Sequence, residues 1–500
     1  MAIFAFMKRL ITIVAALCTA VTLLAQTAAQ KYVNELATRK PLNNAVWGVL
    51  AKDANGNVLA EYNSGTLMLP ASNMKLITTG TAMLALGADY RFPTHIGYTG
   101  RIENGTLEGD LYIIGGGDPT LCTRDSIAVS MAGIFRTWKR FIQKAGINAI
   151  HGRIVGDGRL WDVPLEAGSW TWDDIGTYYG PGGSALGFYS NAIDYSVELA
   201  PVGETVPMKQ IYPETPWMHI ANRTKMAPAR TGNSLLLFTS ELAPYAEIRG
   251  TLAVDKRAKP EHFANKYGAL TCAYYFWKEL TDGGMEVTGG YADIDRDGLI
   301  RTGADFLTHE AAGKPEVIGT SYSPTLNRIA LATNCRSDNY YAESIFRAMG
   351  FKATGCADYD SCYVAERAVF TQLGLPQDGI SIVDGSGLSR KNCVTPAFMV
   401  EYLQRMQKTA VWEPFLRSLP WPGGNGTLKY VLKNSPEALR QRIHMKSGSM
   451  EGVLCYSGYI LPPEGKKGEP ITFCILTNNC QGEFVEVREA ITKILVLLAQ

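Results

Sequence analysis

The feature that most constrains the fold is that the two ends of the chain carry matching strand and helix patterns, hundreds of residues apart. The strand-like apolar runs are 45–51, 58–62, 442–449, 453–461 and 471–478. The first two flank an Asn-Gly pair, which is a strong hairpin signal. A helical pattern follows Pro70 and stops at Gly87, and a second helical stripe runs from Phe484 to Leu498. We therefore predict one antiparallel sheet, built from both ends of the chain and covered by helices.

The sequence between these ends has a different character. From about 91 to 297 it is rich in short strand patterns, turns and Gly, Trp and Tyr residues. We predict that 93–297 is a β-rich insertion, with one domain nested in another at about 190–255. Residues 30–92 and 298–500 then form a single discontinuous α+β domain, in which helices flank a five-stranded antiparallel sheet.

The first 29 residues predict a secretory signal peptide. Lys8 and Arg9 precede a nearly continuous apolar run, Leu10 to Leu24, and small residues follow with a cleavage region at Ala25 to Ala29. An uncleaved anchor is the alternative, but a run of about 15 residues is short for a bilayer span. No later segment is long and apolar enough to span a membrane. We predict an exported, periplasmic protein and leave open a peripheral association with membrane or wall.

Composition narrows the function classes further. The 48 Lys and Arg residues balance 47 Asp and Glu residues, and 46% of the chain is hydrophobic. These values exclude a disordered polymer and argue against nucleic acid as a partner. Scattered histidines and the lack of a phosphate-binding glycine motif predict neither a metal nor an organic cofactor. Cys356 and Cys362 are plausible disulfide partners in an oxidising compartment, and the oligomeric state stays open.

One candidate for nucleophilic chemistry is Ser72, which forms an S-x-x-K motif with Lys75 at the start of the first predicted helix. The i, i+3 spacing places both side chains on one helical face. Lysine can activate a serine only when neutral, so its pKa of about 10.4 must fall by roughly three units. Burial and a neighbouring cation would both lower it. Alone the motif is weak, since chance supplies about two in 500 residues, and a capping serine before a solvated lysine is the alternative.

Two further motifs follow in the chain. Ser337 and Asn339 belong to S-D-N just before a predicted helix, where a hydroxyl can relay a proton and an amide can bind a carbonyl. A helix-capping turn is the alternative. Lys446, Ser447 and Gly448 form K-S-G late in a predicted strand, where the backbone can pair with an extended peptide. An exposed strand end is the alternative there.

The order S-x-x-K, S-x-N, K-[ST]-G, each in the required structural context, arises by chance less than about once in a hundred such chains. This set resembles that of penicillin-binding proteins and serine β-lactamases. The 261 residues between Lys75 and Ser337 are too many for a compact β-lactamase. The mature chain resembles the D-alanyl-D-alanine carboxypeptidase/endopeptidase class (class C, low molecular mass) of penicillin-binding proteins. Shorter family-like stretches are 109–112, 116–121, 172–174, 178–180 and 384–390.

The resemblance implies a catalytic domain of the serine β-lactamase/transpeptidase type and a serine hydrolase that cuts peptidoglycan stem peptides through an acyl-enzyme on Ser72. Its implied catalytic residues are Ser72, Lys75, Ser337, Asn339 and Lys446. Its implied substrate-binding residues are Ser447, Gly448, Ser449 and Met450. Ser447 stands where the family usually has Thr, so the hydroxyl is kept. The loop 384–390 is expected to be a structural wall without a catalytic role.

Peptidoglycan peptides are the implied partners and β-lactams the implied inhibitors. The chain could instead be a serine β-lactamase, although no residue stands out as a dedicated deacylating base. It could also be a catalytically inactive peptidoglycan-binding protein, against which the intact hydroxyls and both lysines argue. The sequence leaves carboxypeptidase and endopeptidase activities unseparated.

Overall fold

A computed structural model describes residues 26–294, 298–302, 313–481 and 483–500 of the chain. The apolar run of the predicted signal peptide lies outside the described residues. Its last residues are described, and Ala28 and Ala29 begin the first helix, Ala28–Leu36, with Thr27 as the N-cap. Among the described residues, no helix has both the length and the apolar character needed to cross a membrane.

The two ends of the chain meet in one five-stranded antiparallel sheet, which we call the catalytic sheet. Its strands, from edge to edge, are Val58–Tyr62, Val46–Lys52, Ile471–Asn478, Val453–Ile460 and Ile443–Met450. Val49 lies opposite Ile475, so the first predicted hairpin pairs directly with the last predicted strand. The predicted sheet is confirmed, and its strand boundaries differ from the prediction by one residue at five of the ten strand ends and agree at the other five.

Helices cover both faces of the catalytic sheet. Val49 and Ala51 pack into one hydrophobic core and the intervening Leu50 into the other, as the two-residue strand repeat requires. One core contains Ala28–Leu36 and Phe484–Leu498. The helices of the other side are Met74–Leu86, Leu326–Arg336, Asn339–Thr354, Tyr359–Gln372, Pro396–Met406 and Trp412–Ser418, and a short helix, Glu437–Arg440, precedes the last three strands.

The middle of the chain forms a second sheet of six strands. Their order is Ile300–Thr302, Tyr291–Ile294, Ile154–Asp157, Leu111–Gly115, Pro93–Tyr98 and Glu316–Tyr322. A small sheet of Arg101–Glu103, Thr106–Glu108 and Ala149–Ile150 adjoins it. Two helices that the sequence did not predict, Met131–Lys144 and Gly268–Asp282, pack on the insertion's core.

The end of the insertion lies later in the chain than predicted. The predicted boundary at 297 falls inside the six-stranded sheet, because Glu316–Tyr322 pairs antiparallel with Pro93–Tyr98. The Trp138 indole also donates to Ser321 Oγ at 2.9 Å, which ties this strand to a helix of the insertion. A single edge strand after a long separation offers no local signal of the sheet it joins.

The segment near 190–255 carries short strands of its own around a separate core. One three-stranded sheet consists of Met208–Tyr212, Ala192–Val197 and Glu261–Ala264. A second consists of His219–Asn222, Tyr245–Arg249 and Leu236–Phe238, and the strands Lys225–Ala227 and Thr251–Ala253 form a separate two-stranded sheet. Single-turn helices occur at Ala71–Asn73, Arg159–Trp161 and Tyr189–Asn191.

Cys356 and Cys362, which the sequence offers as plausible disulfide partners, are not paired. Each of the nine cysteines in the described residues is a free thiol. Cys356 lies before the helix Tyr359–Gln372 and donates to Asp358 Oδ2 at 2.9 Å, whereas Cys362 is buried and directed toward the carbonyl oxygen of Ala357. Closeness in sequence does not make a disulfide when the helix turns one side chain into the core.

Candidate active site

Ser72 sits in a single-turn helix, Ala71–Asn73, that leads into the helix Met74–Leu86. This turn packs against the edge strand of the catalytic sheet at Gly448. A Cβ at residue 448 would lie 2.5 Å from the carbonyl oxygen of Pro70 and 3.1 Å from the Ser72 nitrogen. Gly448 therefore leaves room for the serine's own turn, and this contact fixes Ser72 beside the strand.

Lys75 lies next to Ser72, as the motif spacing predicts. The Lys75 side chain is fully buried, and its Nζ is 3.0 Å from Ser72 Oγ. The same ammonium group donates to Asn339 Oδ1 at 2.6 Å and to the carbonyl oxygen of Ser386 at 2.7 Å. Lys75 thus brings together the first motif, the second motif and the loop 384–390.

Burial lowers the pKa of Lys75 to about 8, although the carboxylates of Glu343, Asp384 and Asp338 act in the opposite direction. Lys446 is affected by repulsion from the Lys75 charge. Burial first and this repulsion second lower the pKa of Lys446 well below its usual range. Desolvation is therefore the main reason that Lys75 can lose its proton near neutral pH.

The second and third motifs meet at Ser337. Ser337 ends the helix Leu326–Arg336 in a left-handed conformation with φ 60° and ψ 40°. Its Oγ accepts a hydrogen bond from Lys446 Nζ at 3.0 Å. Asn339 begins the next helix, and its Nδ2 donates to the carbonyl oxygen of Tyr179 in the insertion at 2.9 Å. The five predicted catalytic side chains therefore form two hydrogen-bonded groups, one in which Lys75 contacts Ser72 and Asn339 and one in which Lys446 contacts Ser337.

The four predicted substrate-binding residues lie on the strand Ile443–Met450. Ser447, Ser449 and Met450 line a cleft of about 1120 Å³ that also contains Ser72. Ser447 Oγ is hydrogen-bonded to Thr427 Oγ1 at 2.9 Å. Thr427 was not predicted from the sequence, since it lies in an irregular segment with no motif around it.

The insertion supplies the opposite wall of the cleft. The residues that it contributes include Arg124, Asp173, Asp174, Tyr178, Tyr179, Asp194 and His262. Asp194 is buried, and its carboxylate accepts from Tyr189 Oη at 2.7 Å and lies 2.7 Å from His262 Nδ1. The site is thus formed between the catalytic sheet and the inserted region.

The loop 384–390 contributes more than the structural wall that the sequence predicts. Asp384 is buried and accepts hydrogen bonds from the backbone nitrogens of Gly387 and Ser389 at 2.8 and 2.6 Å. The Ser386 carbonyl oxygen is thereby presented to Lys75. No residue type identifies a backbone acceptor, so sequence patterns could not find it.

No cluster of three or more His, Cys, Asp and Glu side chains suited to a metal ion occurs in the described ranges. Groups near Ser72 that could bind a substrate anion include Lys446 and the hydroxyls of Ser337, Ser447 and Thr427.

The fold and the site together define an active-site serine hydrolase of the penicillin-recognising class, in which a buried lysine touches the serine from one helical turn away. The sequence model of the D-Ala-D-Ala carboxypeptidase 3 (S13) family matches residues 29–500. The chain belongs to this family of serine peptidases.

Two relatives match along most of the chain. The D-alanyl-D-alanine carboxypeptidase of Actinomadura sp. (strain R39) is 27% identical over 459 residues, which are 88% of this chain and 79% of the relative. The D-alanyl-D-alanine carboxypeptidase DacB of Haemophilus influenzae is 26% identical over 444 residues, or 87% of this chain and 86% of the relative.

The fold is also similar to a solved structure. Penicillin-binding protein 4 (dacB) from Haemophilus influenzae superposes with a TM-score of 0.76 at 23% identity, covering 94% of this chain and 98% of that one. The same protein complexed with a β-lactam gives a TM-score of 0.72. The predicted fold class and family are confirmed.

Proposed function

We propose that this chain is a D-Ala-D-Ala carboxypeptidase or DD-endopeptidase that cuts peptidoglycan stem peptides through an acyl-enzyme on Ser72. The observation that carries the proposal is the 3.0 Å contact between Ser72 Oγ and the fully buried Nζ of Lys75. A serine hydroxyl needs an adjacent base to become a nucleophile. The lowered pKa of Lys75, about 8, provides a usable fraction of neutral amine.

In the acylation step, Ser72 Oγ attacks the carbonyl carbon between two D-alanines or at a D-Ala cross-link. Its proton passes to the neutral Lys75 amine. As the peptide C–N bond breaks, a proton returns to the leaving amine through Ser337, whose Oγ is held by Lys446 at 3.0 Å. The backbone N–H groups of Ser72 and Ser449 would form the oxyanion hole, where one lost donor costs about 3 kcal/mol.

Substrate binding would use the edge strand Ile443–Met450. An extended peptide can add to such an edge through main-chain hydrogen bonds. Lys446 and Ser447 would hold the terminal carboxylate, with Thr427 orienting the Ser447 hydroxyl at 2.9 Å. Met450 would contact the side chain of the substrate, and Asn339 would position its amide carbonyl.

In the second step, water attacks the ester and releases Ser72, so the net reaction is hydrolysis. A β-lactam that enters the same cleft would acylate Ser72 and leave a long-lived adduct. Because the leaving group of an opened β-lactam ring stays tethered, it would hinder the approach of water.

We also propose that the protein is exported and works in the periplasm. The basic, apolar and small-residue order of positions 1–29 supports this location. Cleavage before Thr27 would leave intact the cap of the first helix, in which Thr27 Oγ1 accepts from the Gln30 nitrogen at 3.0 Å.

Intact-mass analysis after exposure to penicillin tests the proposal. We expect one covalent adduct on the wild-type protein and none on Ser72→Ala. Folding of the variant is checked by circular dichroism. An adduct that persists on folded Ser72→Ala would refute the assignment of the nucleophile, and a wild type that never reacts would favour an inactive binding protein.

Purified cross-linked muropeptides separate the two peptidase activities. Loss of terminal D-Ala alone indicates a carboxypeptidase, and conversion of dimers to monomers indicates an endopeptidase. Fast hydrolysis of nitrocefin with neither activity would instead support the β-lactamase alternative.

A further inference from the structure

Glu343 lies behind the Ser72–Lys75 pair, and the mechanism above gives it no role. It follows Asn339 by four positions on the helix Asn339–Thr354, so both side chains project from one helical face. The Glu343 side chain is 0% exposed. A buried carboxylate is costly unless it is hydrogen-bonded or paired, so its contacts indicate what it does.

Both carboxylate oxygens of Glu343 accept hydrogen bonds from the loop 384–390. Oε1 accepts from the Ser386 nitrogen at 2.7 Å, and Oε2 accepts from the Gly385 nitrogen at 3.3 Å. An ionised carboxylate has acceptors on both oxygens and no donor, which fits this pair of contacts. The residue whose nitrogen Glu343 holds is also the residue whose carbonyl oxygen accepts from Lys75 Nζ at 2.7 Å.

Glu343 also acts on Lys75 through its charge. Burial lowers the pKa of Lys75, and the Glu343 carboxylate is the strongest of the charges that oppose this effect. Burial, followed by the neighbouring Asp384 charge, raises the pKa of Glu343 itself. The two buried groups therefore influence each other's protonation across the loop that both contact.

We propose that Glu343 is a positioning residue for the acylation step, which holds the Ser386 carbonyl against Lys75 and whose negative charge controls the proton on that lysine. The inference deepens the proposed function and rests on it. Glu343 touches neither substrate nor the reacting atoms and acts only through Lys75 and the loop.

Other charged groups surround this pair and must be separated from Glu343 in a test. The titratable or charged groups that face Glu343 or Lys75 are Asp338, Arg347, Tyr359, Cys362, Asp384 and Lys446. Arg347 uses its guanidinium to donate to the carbonyl oxygens of Pro164, Leu165 and Ala357. Asp384 remains in every variant below, so a change can be assigned to residue 343.

The test is the pH dependence of the second-order rate of acylation by penicillin in the full chain. Glu343→Gln removes the charge and keeps the shape, so Lys75 should lose its proton more readily. We expect the rising limb of the profile to move to lower pH by about one unit. Glu343→Asp keeps the charge but shortens the side chain by one methylene. The rising limb of its profile should therefore stay at the wild-type pH, whereas the plateau rate should fall about ten-fold because the Ser386 carbonyl is no longer held in place.

Glu366→Gln is the matched control, since Glu366 is also fully buried but contacts Thr81 at 3.4 Å, six residues after Lys75 on the helix Met74–Leu86. Its profile should coincide with that of the wild type. An unshifted limb in folded Glu343→Gln overturns the inference. If Glu343→Gln does not fold, Glu343→Asp decides, because a wild-type plateau in that variant also overturns it. Failure of the wild type to acylate would instead refute the proposed function.

Discussion

At the residue scale, the proton shared by Ser72 and Lys75 depends on burial. An exposed lysine is protonated at neutral pH and cannot accept the serine proton. Lys75 is completely enclosed, with its Nζ directed to one hydroxyl, one amide oxygen and one backbone carbonyl. Three acceptors hold the amine in place, and desolvation makes its charged form less favourable.

Acylation of Ser72 should therefore depend on pH through Lys75. Since the pKa of Lys75 is lowered to about 8, the acylation rate should rise as pH increases through that value, where the neutral amine becomes the major form. Lys75→Arg would keep the charge permanently and should reduce acylation about 10²- to 10⁴-fold. Stopped-flow acylation with a chromogenic β-lactam between pH 6 and 9 measures both effects. A wild-type rate that is flat over about that range would contradict this role for Lys75.

A second prediction at the residue scale concerns Glu366 and the pH dependence of the free energy of unfolding. Burial raises the pKa of Glu366 to about 8, so the folded protein retains a proton that the unfolded chain loses at lower pH. Protonated Glu366 therefore stabilises the fold fully at pH values below the ordinary pKa of glutamate. This stabilisation is lost as pH rises toward about 8. Glu366→Gln should remove this loss and raise the free energy of unfolding at pH 8 by up to about 5 kcal/mol. Urea unfolding of both proteins at several pH values measures this difference. The same change of unfolding free energy with pH in both proteins would contradict the prediction.

At the element scale, the contact between the serine turn and the edge strand determines whether the site assembles. Most of the elements involved were predicted from local patterns: the helix Met74–Leu86 after Pro70, the helix after S-D-N, and the three final strands. Their contact was not predictable, because the closeness of Gly448 to Pro70 and Ser72 follows from packing between residues far apart in sequence.

Gly448→Ala should disturb this contact. The new Cβ would lie 2.5 Å from a backbone oxygen and 3.0 Å from the Asn73 nitrogen, and a backbone neighbour cannot rotate away. We expect a loss of about 1–3 kcal/mol in unfolding free energy and about a hundred-fold slower acylation as Ser72 moves. Gly65→Ala is the control, since a Cβ there meets no atom within 4 Å. Equal acylation rates of the two variants would show that the contact does not position Ser72.

The two helices of the insertion show where sequence patterns were overlooked. Ile134, Phe135, Trp138 and Ile142 are buried at helical spacing within Met131–Lys144. This stripe was a usable signal, but the surrounding Gly-rich strands and turns favoured an interpretation as β structure throughout. The helix Gly268–Asp282 carries a similar buried face.

At the scale of the whole molecule, the insertion is attached to the catalytic core beside the active site. The Trp170 indole donates to the buried Asp384 carboxylate at 2.8 Å, and Ser169 Oγ lies 2.7 Å from Ser389 Oγ. The backbone of Tyr179 also accepts from Asn339. The inserted region therefore supports the loop that contacts Lys75 as well as forming a wall of the cleft.

Trp170→Phe should weaken this connection. It keeps most of the apolar ring but removes an N–H donor from a buried carboxylate, a loss of about 1.5–3 kcal/mol. We expect that decrease in the free energy of unfolding, measured with urea, together with slower acylation. Trp172→Phe is the matched control, because that side chain is 59% exposed, and it should change stability by less than about 0.5 kcal/mol. Equal effects of the two substitutions would contradict the connection.

The sequence by itself determined the strands of the catalytic sheet, the helix that follows Ser72 and the three motifs of this protein. Alternating strands, a helix after Pro70 and three ordered motifs are local signals, and local signals suffice to predict a Ser–Lys hydrolase built on a sheet from both chain ends. Tertiary structure alone decided which sheet Glu316–Tyr322 joins, that Cys356 and Cys362 stay apart, and that Ser386 presents a carbonyl oxygen to Lys75. These outcomes depend on packing between distant segments and on backbone atoms, which every residue carries and no residue type reveals.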